Sequence, residues 1–204
     1  MLCFPMFMKM EGQRVLVCGN GHHALDKIQR LQVFRPHLVA ITPEPNQALA
    51  ELGVDEVLTH AFTEEDLEPR PIFVVTGESR EENHRIAQIC RHHGVPVNAV
   101  DQPEDCDFFF PALITREPLT VGICTAGASP TAAVNLKKRI GAEIPEHIGE
   151  ILTWLEELRP EIRRHCDSKA RERQLLAAAV ERAFSLDRAL TETEISALYN
   201  EKNL

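Results

Sequence analysis

No apolar stretch in this sequence approaches the roughly 20 residues that a membrane span requires. Phe108–Ile114, one of the longer runs, is itself broken by Pro111, so no membrane partner is expected. Positive charge is in deficit, with 22 Lys and Arg against 31 Asp and Glu, a net −9. That balance argues against a nucleic-acid partner, which calls for a basic face. The six cysteines, at positions 3, 18, 90, 106, 124 and 166, contain no CxxC pair. A disulfide framework is therefore not expected, and free thiols point to the reducing cytoplasm. The apolar opening MLCFPMFM is preceded by no basic residue, is interrupted by Pro5 and leads to no small-residue cleavage site, so it reads as mature structure and not as a leader. Internal repeats and low-complexity tracts are absent.

What is present is ordinary for a globular chain: 44% hydrophobic and 26% charged residues over 204 positions, enough for one or two domains. Residues 14–18 (RVLVC), 38–41, 54–58, 72–75 and 96–100 read as short apolar strands, with helices over 22–34, 46–52 and 80–93, the last closed by Gly94. Strands apolar on both faces and alternating with helices predict a parallel sheet covered on both sides. The pattern changes after Pro103. Residues 108–115 and 119–124 predict two strands joined by Arg116–Glu117–Pro118, an antiparallel pair. Helices are expected over 130–140, 146–158, 160–184 and 192–201, with breaks at Pro145 and Pro160. The α/β part therefore ends near 113.

Gly19-Asn20-Gly21-His22-His23-Ala24 fits G-x-G-x-x-G/A and lies between the first strand and the first helix. The first glycine permits the tight turn, the second lets a diphosphate approach the backbone, and the small third residue allows helix and strand to pack closely. The helix N-terminus adds unpaired N–H groups and partial positive charge. The competing reading is a plain structural turn. The acidic residue that usually grips the adenosine ribose is missing from the second strand end, which reads Ala40-Ile41-Thr42-Pro43-Glu44. Thr42 or the backbone is left to hold the ribose. No Arg stands there for a 2′-phosphate, which favours NAD over NADP.

At these residues the chain resembles the precorrin-2 dehydrogenase / sirohydrochlorin ferrochelatase family, the N-terminal module of siroheme synthase. The resemblance runs from Phe4-Pro5-Met6-Phe7 through RVLVCGNGHHALDK. It is most specific at Val97-Asn98-Ala99-Val100-Asp101-Gln102-Pro103 and Cys106-Asp107-Phe108-Phe109-Phe110-Pro111-Ala112, and it continues through Gly127-Ala128-Ser129-Pro130 to Pro145-Glu146-His147-Ile148-Gly149. It implies a Rossmann-like dinucleotide domain (1–112), a small hairpin-plus-helix dimerisation domain (113–150) and a C-terminal helical domain (151–204), hence a homodimer. It also implies transfer of a hydride from precorrin-2 to NAD⁺, giving sirohydrochlorin. In bifunctional members Fe²⁺ is then inserted to give siroheme. Four departures stand out. Asn20 interrupts a glycine triplet, His22-His23 replace a small residue and a valine, Asp26-Lys27 replace Arg-Lys, and Val75-Thr76-Gly77-Glu78 replace Ala-Thr-Asp-Asp. A member that had kept chelation alone, or a non-catalytic nucleotide-sensing or tetrapyrrole-binding module, would share such features.

The resemblance maps the family's essential carboxylate onto Asp101. From the residues alone, Asp101 follows the fifth strand, where open α/β sheets bind ligands beyond the strand ends; a turn cap is the other reading. A carboxylate there serves either as base in dehydrogenation or as acceptor of a pyrrole proton in chelation. The expected cofactor contacts are Gly19, Asn20, Gly21, His22, His23, Ala24, Thr42 and Thr76. His22 and His23 either hydrogen-bond phosphate or occlude it. Asn98 either contacts substrate or nicotinamide, or anchors its strand. Ser129 is either an N-cap before Pro130 or part of a loop holding a substrate carboxylate. Lys137-Lys138-Arg139 and the arginines from 159 to 173 are the basic clusters available to a polyanionic tetrapyrrole, or else solvated helix faces. The nine histidines lack metal-ligand spacing, so no resident metal is expected.

Overall fold

The computed structural model describes residues 2–45 and 47–200. The chain divides into two compact units, Met1–Phe110 and Pro111–Leu204.

The first unit is built on five parallel strands, β1 (Arg14–Cys18), β2 (His37–Ile41), β3 (Glu56–Leu58), β4 (Phe73–Thr76) and β5 (Val97–Ala99), in the order β3-β2-β1-β4-β5. Three helices accompany them: α1 (His22–Gln32), α2 (Gln47–Glu51) and α3 (Arg80–His92). The strand period of two divides β1 between two cores. Val15 and Val17 pack with Ala24, Ile28 and Leu31 of α1, whereas Leu16 and Cys18 pack with Ile86, Ala87 and Cys90 of α3. Both faces are covered, which accounts for the unbroken apolar strands. Ser79 caps α3 by accepting from the Glu82 N–H at 3.2 Å, and Gly94 at φ +65° follows its last turn. The chain leaves β1 for β2 on one side and β4 on the other, so the carboxyl ends of β1 and β4 flank the point where strand order reverses. That is where such sheets bind ligands.

The three phenylalanines at 108–110 were expected to open a strand. They form no strand: Phe108 and Phe110 instead pack on Phe73, with ring centroids 4.8 and 6.5 Å away. Burial of these rings against the α1 face outweighs strand pairing, and β6 begins only at Ala112. The expected helix start at 46 and end at 201 lie outside the described residues.

In the second unit β6 (Ala112–Arg116) and β7 (Leu119–Ile123) form the antiparallel hairpin. Four helices follow: α4 (Pro130–Glu143), α5 (Ile148–His165), α6 (Lys169–Leu186) and α7 (Glu192–Asn200). Contrary to expectation, α5 runs straight through Pro160. An interior proline costs about 3 kcal/mol. Leu158 and Ile162, one turn apart and both buried with Leu175, Ala179 and Leu198, each return roughly 1.5–3 kcal/mol only if the helix continues. The break falls at Cys166, and Ser168 then caps α6 by accepting from the Arg171 N–H. Arg116 donates to the carbonyls of Gly141, Ile144 and Pro145, closing the end of α4. Gly149 in the first turn of α5 lies against the Glu117 carbonyl at the hairpin tip, so closely that a Cβ would collide with it.

Candidate functional site

The candidate site lies at the carboxyl ends of β1, β4 and β5. Gly19 ends β1 at φ +110°, a conformation that L side chains rarely adopt. Its N–H donates to the Ile41 carbonyl, and the Gly77 N–H donates to the Cys18 carbonyl, so the turn is tied to β2 and to the loop after β4. A Cβ on Gly19 would stand 3.1 Å from the Gly77 carbonyl oxygen and 3.4 Å from a Glu78 carboxylate oxygen. Gly77 in turn leaves no room, since a Cβ there would stand 3.0 Å from the Ala24 nitrogen. Gly77 and Ala24 thus form the small–small contact that brings the β4 loop against the start of α1.

Gly21 is different. It is the N-cap of α1 in extended conformation, without a side-chain cap. A Cβ on it would meet no atom within 4 Å apart from its chain neighbours. The space above the helix N-terminus is open, as approach of a diphosphate to bare backbone requires. His22 and His23 are exposed, their rings 5.8 Å apart, and they border that space. This cradle fits a dinucleotide: Gly19 makes the turn, Gly21 leaves the opening, and the first N–H groups of α1 face it.

The remaining expected residues separate into two groups. Asp101 sits just beyond β5 at φ +59°, a left-handed conformation that Asp tolerates better than most residues. Its carboxylate is 80% exposed and lies 3.6 Å from the His23 imidazole, so the acid and the glycine turn meet. Thr76, Thr42 and Asn98 point inward. Fully buried Thr76 donates to the Asn83 side-chain carbonyl at 2.7 Å. Thr42, also buried, accepts from the Glu44 N–H at 3.4 Å, and Asn20 donates to the Glu44 carbonyl. Asn98 donates to the Phe108 carbonyl at 2.8 Å and so holds the aromatic segment against β5. Ser129 belongs to the second unit, where it caps α4 by accepting from the Ala132 N–H at 3.1 Å.

Beneath Asp101 runs a polar network that sequence reasoning missed. Asn83 accepts from Thr76 and from the Glu78 N–H and donates to Gln102 at 2.8 Å; Gln102 donates to Asp105 and to the Arg80 carbonyl. Asn83, Gln102 and Asp105 are all buried. Burial alone would raise the Asp105 carboxyl, but hydrogen bonds and charge from His84 and Arg91 outweigh it and hold the group below the usual carboxylate range. A signal was available. Asn83 shares the i, i+3, i+7 stripe with Ile86 and Cys90, and a polar residue on an apolar stripe needs a partner. Glu78 is raised instead, by burial and then by Glu82. Among the described residues no group of three or more His, Cys, Asp or Glu is arranged to hold a metal ion, and no helix is long and apolar enough to cross a membrane.

Comparison with known proteins extends this geometry. A family model described as "Putative NAD(P)-binding" matches residues 6–112. Siroheme synthase of Methylococcus capsulatus is 32% identical over 211 residues, covering 97% of this chain and 44% of the relative. Siroheme synthase of Thioalkalivibrio sulfidiphilus is 31% identical over 163 residues, covering 78% and 33%. The chain therefore spans less than half the length of these curated relatives. A solved structure, SirC, precorrin-2 dehydrogenase, has a similar fold, with a TM-score of 0.69 at 21% identity and 96% coverage of both chains.

Proposed function

Because the chain belongs to the NAD(P)-binding family matched over residues 6–112, we propose that it dehydrogenates precorrin-2 to sirohydrochlorin with NAD⁺. The observation that carries this reading is the meeting of the open glycine turn with the Asp101 carboxylate, 3.6 Å from His23. Gly19 to Ala24 hold the diphosphate through the main chain at the start of α1, and the dinucleotide, when bound, supplies the hydride-accepting ring. Dehydrogenation removes a hydride and a proton from the macrocycle. Asp101 takes the proton at a carboxylate oxygen, and His23, adjacent and exposed, hands it to water. Fe²⁺ is the second substrate in this reading: inserting it into sirohydrochlorin displaces two pyrrole N–H protons, and the same carboxylate accepts one of them. The siroheme synthase relatives support the tetrapyrrole as substrate.

The same reading makes the protein a cytoplasmic homodimer, with 113–150 as the dimerisation segment and 151–204 as a helical domain. Leu136 and Ile140, one turn apart on α4, are 41 and 38% exposed, an apolar strip for a second copy to cover. The test is anaerobic incubation of the protein with precorrin-2 and NAD⁺. NADH appearing together with sirohydrochlorin absorbance is the expected result. Tight binding of both ligands without spectral change would instead identify a carrier or sensor. Metal insertion into supplied sirohydrochlorin without NADH formation would identify a chelatase alone.

A further inference from the structure

The sheet lacks an acidic side chain where β2 ends against the glycine turn. Glu44, the nearest by sequence, meets the turn through its main chain: its carbonyl accepts from Asn20 and its N–H donates to Thr42. Another carboxylate reaches the same turn from the opposite side. Glu78 follows Gly77, whose contact with Ala24 holds the β4 loop against α1, and whose N–H is fixed on the Cys18 carbonyl. The Glu78 N–H is held by Asn83. With its backbone secured at both residues, the Glu78 side chain projects over Gly19, its oxygen 3.4 Å from where a Cβ of that glycine would be. No side-chain hydrogen bond or ion pair engages this carboxylate among the described residues, so its acceptor capacity is unspent.

We propose that Glu78 is the residue that accepts the adenosine ribose hydroxyls of the bound dinucleotide, from the end of β4, across β1 from the usual position at the end of β2, and thereby selects NAD⁺ against NADP⁺. The inference rests on the dinucleotide reading above and adds its specificity determinant. A carboxylate accepts from a ribose 2′-hydroxyl by a charge-assisted hydrogen bond. A 2′-phosphate at the same place supplies no donor and brings like charge against it, so discrimination comes from repulsion as well as attraction. Burial and the neighbouring Glu82 raise the Glu78 carboxyl, as for an anion held without a cation; a donated ribose hydroxyl relieves that condition and a phosphate aggravates it.

Calorimetric titration of NAD⁺ and NADP⁺ into the full chain, wild type, Glu78→Gln and Glu44→Gln, provides the test. Gln keeps the shape of Glu at this partly solvent-accessible position, and matched thermal melts confirm the fold. The expected result is opposite movement in Glu78→Gln, with NAD⁺ affinity falling about tenfold and NADP⁺ affinity rising. Glu44→Gln leaves both unchanged. A merely structural role would weaken the two ligands together. Equal affinities in wild type and Glu78→Gln, or the opposite movement appearing in Glu44→Gln instead, would overturn the assignment while leaving dinucleotide binding intact. Wild-type protein that binds neither ligand would overturn the dinucleotide reading and this assignment with it.

Discussion

Two glycines two positions apart make opposite demands. At Gly21 a side chain meets open space and the backbone is ordinary, so Gly21→Val is expected to fold with only the small loss of stability of a poor helix N-cap, about 1 kcal/mol, yet raise the dissociation constant for NAD⁺ at least about tenfold by filling the diphosphate opening. Calorimetry beside a thermal melt separates the two effects. Gly19→Ala has both a positive φ and the Gly77 carbonyl against it, so there the stability itself should fall. Asp101→Ala removes the proposed base from an exposed position. It is expected to lower turnover by about 100-fold or more while NAD⁺ affinity and melting temperature stay near wild type, since general-base catalysis contributes about 10²–10⁴. A rate within a few-fold of wild type would remove Asp101 from the chemistry. The glycine spacing and the acid after β5 were both legible in the sequence, because each follows from the local rule that a strand end faces ligand. That His23 would stand beside Asp101 was not, since the contact joins the first turn of α1 to a loop residue 78 positions on, held in a left-handed conformation that no local pattern specifies.

Among the elements, strands with two buried faces were readable from their unbroken apolar runs, and β1 appears at the expected residues. Phe108–Phe110 and Pro160 misled for one shared reason. Local preference favours a strand in the first case and a break in the second, but packing against distant partners, Phe73 and the α6–α7 core, decides the outcome. The same competition explains why α3 carries Asn83 on its buried stripe. Asn83→Ala would leave Thr76, the Glu78 N–H and Gln102 short of partners, and is expected to destabilise the protein by about 1–3 kcal/mol for each group left unpaired, read as a lowered denaturation midpoint in urea. Asn83→Asp keeps two acceptors but cannot donate to Gln102, and should fall between the alanine variant and wild type.

For the molecule as a whole, acidity outside the first unit has its own signature. His147 and Asp187 join the start of α5 to the end of α6: Asp187 accepts from the Glu146 and His147 N–H groups and stands 3.2 Å from the His147 ring. The hydrogen bond and charge of Asp187 raise His147 above its ordinary 6.5, and the His147 N–H and ring hold Asp187 below its ordinary 3.8. A raised histidine stabilises fully below its unfolded value and loses that contribution as pH climbs through the folded one. A depressed aspartate stabilises above its unfolded value and loses its contribution as pH falls through the folded one. Both contributions are therefore complete only between 3.8 and 6.5. The melting temperature of wild type minus that of His147→Gln should be greatest within that interval and shrink as pH rises past the raised value. A difference independent of pH would show that the ring acts by packing alone.

The seat of the hairpin tip on Gly149 carries one more consequence. Strand register and helix phase share a single point of closure there, with no side chain between them to absorb a mismatch. Lengthening the turn by one residue, or rotating the helix by one, would have to be answered by the other. Grafts that carry the ribbon without α5 would keep its seat on α4 but lose this closure at the tip.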